Sequence, residues 1–413
     1  MNRLLRWLGC GAAALVLFMI VMYSNRGTLV TLVLDSRGLS EPFVGVTTNG
    51  SVRRGLFPIK RSGADTTGVL SAAHAFLDSL GEEANAVKFP VDSDEWQRWS
   101  NIHLYDRQGV ALLDMSEEQK TKAYGLMSAG LSERGYAQAR DIMRLDTTLG
   151  ELKGGDFEWY GEERFWFTIM GEPHGLQPWG WQVDGHHLVI NYFVLGDQVV
   201  MSPVFLGAEP VIAPSGVHEG VAVLQDEQNE GLAMVLALTE SQRAVANISA
   251  SKPGNNNRGE FYSDNVVVPS TGLNVGSLDA AQLSQFLALI RRFVGNLADD
   301  LAEVKMTEVV QHLDETYFTW VGPTSARAAY YYRIMSPVIM IEFDHQRPVG
   351  LSHLTEDAAP QRNHIHVVIR TPNGNDYGKD LLRQHLAQPH ETSEVAMRMR
   401  DGFVAQQASP DRH

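Results

Sequence analysis

One cysteine, Cys10, stands in 413 residues, inside an apolar N-terminal run. The rest of the chain has no thiol, which excludes disulfides, thiolate metal sites and cysteine nucleophiles. Positive charge is also scarce: 34 Lys and Arg face 49 Asp and Glu, for a net charge of -15. A cationic face able to follow a phosphate backbone is therefore not expected, and nucleic acid is excluded as a partner. Missing too are a Gly-x-Ser-x-Gly elbow, a Walker-type phosphate loop, His-Glu-x-x-His, and Gly-x-Gly-x-x-Gly after a strand. Hydrolases, kinases and dehydrogenases built on those motifs are set aside.

What is present begins with Arg3 and Arg6 ahead of the uncharged apolar run 7–23, followed by Arg26. This is a charged n-region and an h-region. No small-x-small cleavage site follows, so an uncleaved signal anchor over 1–26 is favoured over a removed signal peptide. The flanking charges place the folded part on the extracytoplasmic side, in the periplasm or at the cell surface, or secreted if the signal is cleaved. Leu8-Gly9-Cys10 precedes the apolar run where a lipoprotein box would follow it, so Cys10 is read as membrane packing.

Segment 27–67, rich in Gly, Ser, Thr and Arg, reads as a spacer or a short strand pair. Val69, Ala73, Phe76, Leu77 and Leu80 then recur at helical spacing up to Gly81. Ser116–Gln119, Thr239–Gln242 and Asp279–Gln282 are three capping boxes, a local device that does not by itself establish a duplication. Strand signals fall at 164–170, 186–195 and 198–206, with Gly196-Asp197 as a hairpin turn, and again at 317–321, 329–335, 338–343 and 364–369. The absence of regular βαβ alternation argues for an α+β fold with mixed or antiparallel sheets and packed helices, one large domain over 68–388. The tail 389–413 is polar.

Chemistry concentrates in two places. Trp179-Gly180-Trp181 is followed by Gly185-His186-His187 and Asn191, and a second histidine pair stands in Asn363-His364-Ile365-His366. Strand alternation puts His364, His366, Val368 and Arg370 on one face. With His186 or His187 they make a three-histidine set suited to a divalent cation with an open position. On a strand His186 and His187 point to opposite faces unless Gly185 introduces a bulge, so one of them is structural, and His187 shares a face with Val189 and Asn191. The Asn191 amide is placed to orient His187 or, alternatively, to cap a turn or bond to backbone. The bland alternative is a hydrogen-bonded histidine network at a sheet surface.

Glu342 and Asp344 share a face at the end of an apolar run and suit a ligand, a general base or a partner for a histidine; a salt bridge to Arg333 or Arg370 serves equally well. His345 then points to solvent. Asp376 reads first as the cap of a helix over 379–386 and second as a substrate contact. Trp179, Trp181, Tyr330, Tyr331 and Tyr332 suit either an apolar pocket or a core, whereas Trp96, Trp99 and His103 are read as core.

These motifs, with Pro203-Val204-Phe205-Leu206-Gly207-Ala208-Glu209-Pro210, Tyr331-Tyr332-Arg333-Ile334, Ile341-Glu342-Phe343-Asp344, Asp376-Tyr377-Gly378 and Leu381-Leu382-Arg383-Gln384-His385, resemble the DUF3500 family, a domain of unknown function, over about 70–385. The resemblance implies one family domain and brings no reaction or cofactor. The family commonly has Asn where this chain has His345.

The expected function is a metal-dependent enzyme acting on a small-molecule substrate, with His186, His187, His364 and His366 as candidate ligands. Glu342, Asp344 and Arg370 are candidate catalytic residues, and Trp181, Asn191, Tyr332, Arg333 and Asp376 candidate substrate contacts. Zinc with hydrolytic chemistry is the simplest case; the same donors suit copper or iron and oxidation. The alternative is a non-catalytic ligand-binding or scaffold domain.

Overall fold

The computed structural model describes residues 25–388. The apolar run and the polar tail lie outside them, and among the described residues no helix is long and apolar enough to cross a membrane. Where a spacer was expected, the chain forms a helix at Arg26–Gly38. It is fastened through Asp35 to Arg98 and Tyr105 and through Thr31 to the Asp106 amide. These partners stand some 70 residues away, so nothing local announced the helix.

The twelve strands among the described residues join one sheet. In chain order they are β1 Lys88–Phe89, β2 Val110–Ala111, β3 Phe165–Met170, β4 Trp179–Gly185, β5 Leu188–Leu195 and β6 Gln198–Ala208, then β7 Asn247–Ser249, β8 Leu273–Asn274, β9 Tyr317–Val321, β10 Tyr331–Met335, β11 Met340–His345 and β12 Ile365–Arg370. The order across the sheet is β1-β3-β4-β5-β6-β12-β11-β10-β9-β7, with β2 on β3 and β8 on β9. Every pair is antiparallel except β1 with β3 and β7 with β9 at the two ends.

That order is a repeat. Each half contributes a parallel edge strand, a short antiparallel one and a four-stranded meander, and the halves meet at the antiparallel pair β6 and β12. Two of the capping boxes fall at equivalent points. Ser116 opens the helix Glu117–Gly130 just after β2, and Asp279 opens Ala280–Val294 just after β8. The glycines before those strands match as well: a Cβ on Gly109 would lie 2.2 Å from the Phe167 carbonyl oxygen, and one on Gly272 2.2 Å from that of Phe318. Both have positive φ, so these close approaches demand glycine.

Strand alternation sorts the sheet into two unlike faces. One carries Phe167, Trp181, Ile190, Leu206, Tyr332, Phe343 and Val367 and is covered by helices, forming the main core. The other holds Val189, Phe193, Phe205 and Val368 under Trp96, Trp99, Tyr377 and Leu381. Between these apolar residues it carries Gln182, Asn191, Arg333, Glu342, Asp344, His366 and Arg370, all buried. Trp181 and Tyr332 therefore lie across the sheet from His366. Trp181 stacks on Tyr192 at 5.0 Å, and the Tyr332 hydroxyl donates to the Glu227 carbonyl. His345, expected at the surface, is fully buried on the helix side, where Nδ1 accepts from the Tyr330 amide and Nε2 pairs with Gln228.

The polar face is needed because a segment without regular structure crosses it. Asp344 accepts from the amides of Asn256 and Asn257 and pairs with Lys252 at 2.6 Å; Glu342 accepts from the amides of Arg258 and Gly259 and from the Tyr331 hydroxyl. Arg370 donates to the carbonyls of Gly259 and Glu260 and pairs with Asp264 and Asp376. Buried irregular backbone must find partners somewhere, and here sheet side chains supply them. Burial raises Asp344 to about 6, against the pull of Lys252, and likewise raises Asp376 to about 6, against Arg370. Asp376 bonds the Thr371 amide, while Gly378 stands at the N-cap of the helix Lys379–Leu386.

Candidate metal centre

His186 and His187 are not strand residues. β4 and β5 pair down to Gly185 opposite Leu188, leaving the two histidines as the hairpin turn. Alternation therefore does not apply, and the expected opposition of the two rings fails: their centroids lie 3.8 Å apart. A two-residue hairpin favours Asn, Asp or Gly because of its positive φ values. His187 meets that demand with φ 66. Asn191, expected to orient His187, instead accepts from Gln182 at 2.7 Å and donates to the Pro203 carbonyl at 2.9 Å.

The turn brings His187 to the seam of the two halves, against His364 and His366. The ring centroids of His187 lie 5.5 Å from His364 and 5.4 Å from His366. All three residues are buried, and one nitrogen from each falls within 4.8 Å of the others. The space exists because Gly207, opposite His366 in the register, has no side chain. A Cβ there would lie 3.0 Å from His187 Cδ2 and 3.2 Å from His366 Cδ2.

Hydrogen bonds orient the second pair. His364 Nδ1 donates to the Arg347 carbonyl at 2.6 Å, and His366 Nδ1 donates to Glu260 at 2.7 Å. Although burial pushes Glu260 up, His366 and Asn257 outweigh it and hold the acid below its ordinary value, so it is an acceptor. The two Nε2 atoms then face each other at 3.0 Å. Burial first, and the neighbouring imidazoles next, push His187 and His364 well below the usual histidine range. Something positive belongs between two such lone pairs, a proton or a metal ion.

The surrounding charges point the same way. Asp146, Glu209 and Glu260 border the cluster, and their recorded ion-pair partners are His186, His364 and His366, with no Lys or Arg among the described residues. Three other buried acids of this region differ, since Asp184 pairs with Arg107, Asp344 with Lys252 and Asp376 with Arg370, while Glu342 is met by amides and the Tyr331 hydroxyl. Glu209 accepts from the amides of Val349, Gly350 and Leu351. Asp146 accepts from His186 Nδ1 at 2.6 Å and from the Gly161 amide at 2.8 Å. Buried histidines at this position can hold a metal ion, and nitrogen and carboxylate donors suit a divalent one.

Four of the candidate residues, His186, His187, His364 and His366, are brought together. Glu342, Asp344 and Arg370 share the face but are committed to the crossing segment, and Arg333 is committed to Thr271 and Pro269. Sequence reasoning missed Asp146, Glu209 and Glu260 as partners. Above His186 opens a cleft of about 250 Å³ walled by His103, Tyr105, Arg107, Trp159, Arg164 and Trp166. Burial, with His186 next, holds His103 down at about 3. A cavity of about 50 Å³ beneath Phe293, Leu301 and Ile369, lined also by Asp197, Lys305 and Glu308, contains none of the histidines.

No curated protein and no solved structure matches the chain. Residues 62–379 match the family model described as Protein of unknown function (DUF3500), a span that contains the hairpin and the strand of the histidine cluster. The chain belongs to the DUF3500 family.

Proposed function

We propose that this chain is a metal-dependent enzyme in which His187, His364 and His366 hold a divalent cation and a small molecule is bound from the adjoining cleft. One observation carries the reading: two Nε2 atoms 3.0 Å apart, each on a ring whose Nδ1 already donates elsewhere. Ligands about 2.0–2.1 Å from zinc in a tetrahedron stand roughly 3.3 Å from one another, so this separation is close to a coordination geometry. Glu260 and the Arg347 carbonyl fix the tautomers that leave both Nε2 atoms available, as partners behind metal-ligating histidines do. A three-histidine set leaves a fourth position, where a bound ion supplies water activated near neutral pH; hydrolysis of an ester, amide or lactone is the chemistry we favour.

In this reading the protein's share is positional. Glu260 keeps His366 oriented, Glu342, Asp344 and Arg370 hold the segment that carries Glu260, and Gly207 leaves room for the rings. We retain the extracytoplasmic location as part of the proposal, on the strength of the charged and apolar pattern at the N-terminus.

The test is metal content. Protein purified without chelator should carry stoichiometric metal, and His187→Ala and His366→Ala should each lose the ion bound at this site while keeping the circular dichroism spectrum of the parent. Wild-type protein that neither carries a metal nor binds zinc, copper or iron at micromolar concentration would sink the proposal and leave a structural polar network in its place.

A further inference from the structure

The histidine cluster does not end at the seam. His187 belongs to a second group with Asp146 and His186, whose ligand atoms also lie within 4.8 Å of one another. We propose that this trio is a second divalent-cation site, sharing His187 with the first and open to the cleft above His186. The proposal rests on the central metal reading and extends it to a paired centre.

Three observations carry it. First, Asp146 places a carboxyl group in the interior, with a side chain 1 % exposed, and its partners are a histidine and one amide. A buried carboxylate without a cation is costly; Asp184, Asp344 and Asp376 nearby each have a Lys or Arg, and Glu342 is met by two amides and a hydroxyl. Second, the donor set is two imidazoles and one carboxylate, a combination that binds Zn, Mn, Fe or Co and leaves further positions for exchangeable ligands. Third, those open positions have somewhere to face. Of the clustered histidines, only His186 lines the cleft, its ring 5.8 Å from that of His103.

Sharing His187 is chemically available because an imidazole has two nitrogens. The first ion takes one lone pair; the second takes the other nitrogen and displaces its proton to solvent, which balances the exchange. The two sites also differ in origin. The seam site draws ligands from both halves of the sheet, whereas Asp146, His186 and His187 all come from the first half. An ion held by the second trio reaches the cleft directly, and a small anionic or carbonyl-bearing substrate seated there would meet it first.

Stoichiometry separates the two readings. The full chain is stripped with chelator, reloaded with zinc, freed of excess and measured by mass spectrometry against protein concentration. Wild type is expected to hold two ions, Asp146→Ala and His186→Ala one, His366→Ala one, and His187→Ala none. Asp146→Asn and His186→Asn serve as second variants if the alanines fail to fold, with the same expected loss of one ion. Loading with copper gives an independent readout, since two ions on one imidazole couple magnetically and the coupling vanishes in the Asp146 and His186 variants. One ion in wild type, unchanged by Asp146→Asn, overturns the second site and leaves the first standing. Two ions retained in Asp146→Asn and His186→Asn place the second ion elsewhere and overturn the assignment. No ion in wild type defeats the central reading itself.

Discussion

Replacing Gly207 by alanine tests the centre through its shape. The added methyl would stand 3.0 Å from His187 Cδ2, 3.2 Å from His366 Cδ2 and 3.0 Å from the Ile365 carbonyl oxygen. Carbon atoms prefer about 3.5–4.0 Å, so each ring must retreat by roughly 0.5 Å, and the carbonyl belongs to a central strand that has nowhere to go. Overpacking of this kind costs about 1–3 kcal/mol of stability. Metal ligands tolerate errors of only about 0.2 Å, so we expect zinc affinity to fall about 10- to 100-fold. The assay is zinc competition against a chromophoric chelator, with thermal unfolding of the metal-free protein alongside. Gly68→Ala is the control, since a Cβ there meets nothing within 4 Å. A Gly207→Ala protein that loses stability but keeps wild-type zinc affinity would refute the placement of the ion among these rings.

Four further outcomes follow from the same geometry. Glu260→Gln keeps an acceptor for His366 but removes the charge, and should weaken zinc binding about 10-fold in the same competition assay with little change in the unfolding midpoint. Lys252→Met leaves Asp344 buried without its cation and should cost about 3–5 kcal/mol in urea unfolding, with Lys252→Met/Asp344→Asn recovering part of it. Trp181→Ala should cost about 3–5 kcal/mol as a core truncation and leave metal content unchanged; lost metal with intact stability would return Trp181 to the site. His345 is held down at about 3, chiefly by burial. Its pKa is depressed in the folded state, so the unfolded chain binds a proton first and stability falls as pH drops from about 6.5 toward 3, by about 1.4 kcal/mol per unit. His345→Gln should flatten that slope relative to wild type in unfolding measured between pH 4 and 7.

Much of the architecture was legible because it obeys local rules. The strand at Tyr317–Val321, the helix Lys379–Leu386, the Gly196-Asp197 turn and all three capping boxes lie where periodicity and capping chemistry put them. The importance of the four histidines was legible as well, but the geometry of two was not, since alternation was applied to His186 and His187 across a turn. Asp146 left one trace: it interrupts the apolar stripe of Ile142, Leu145 and Leu149 on its helix, where an acid needs a partner. Glu260 left none, because it lies 106 residues from His366 in a segment without periodicity. The repeat was hidden by divergence at matching places. Gln182 stands opposite Asn191 in the first half where Arg333 stands opposite Glu342 in the second, two amides bonded to each other against a guanidinium and a carboxyl group each committed elsewhere.

The seam between β6 and β12 makes the centre a matter of assembly as well as chemistry. His187 arrives with one meander, and His364 and His366 with the other, so neither half owns the site. An ion bound there would be a latch: it binds only when the halves are joined, and by mass action it favours the joined state. Two fragments divided in the connection between β6 and β7 would then recognise each other more tightly in zinc than in chelator, and the protein's wholeness would be something a cell could read as metal supply.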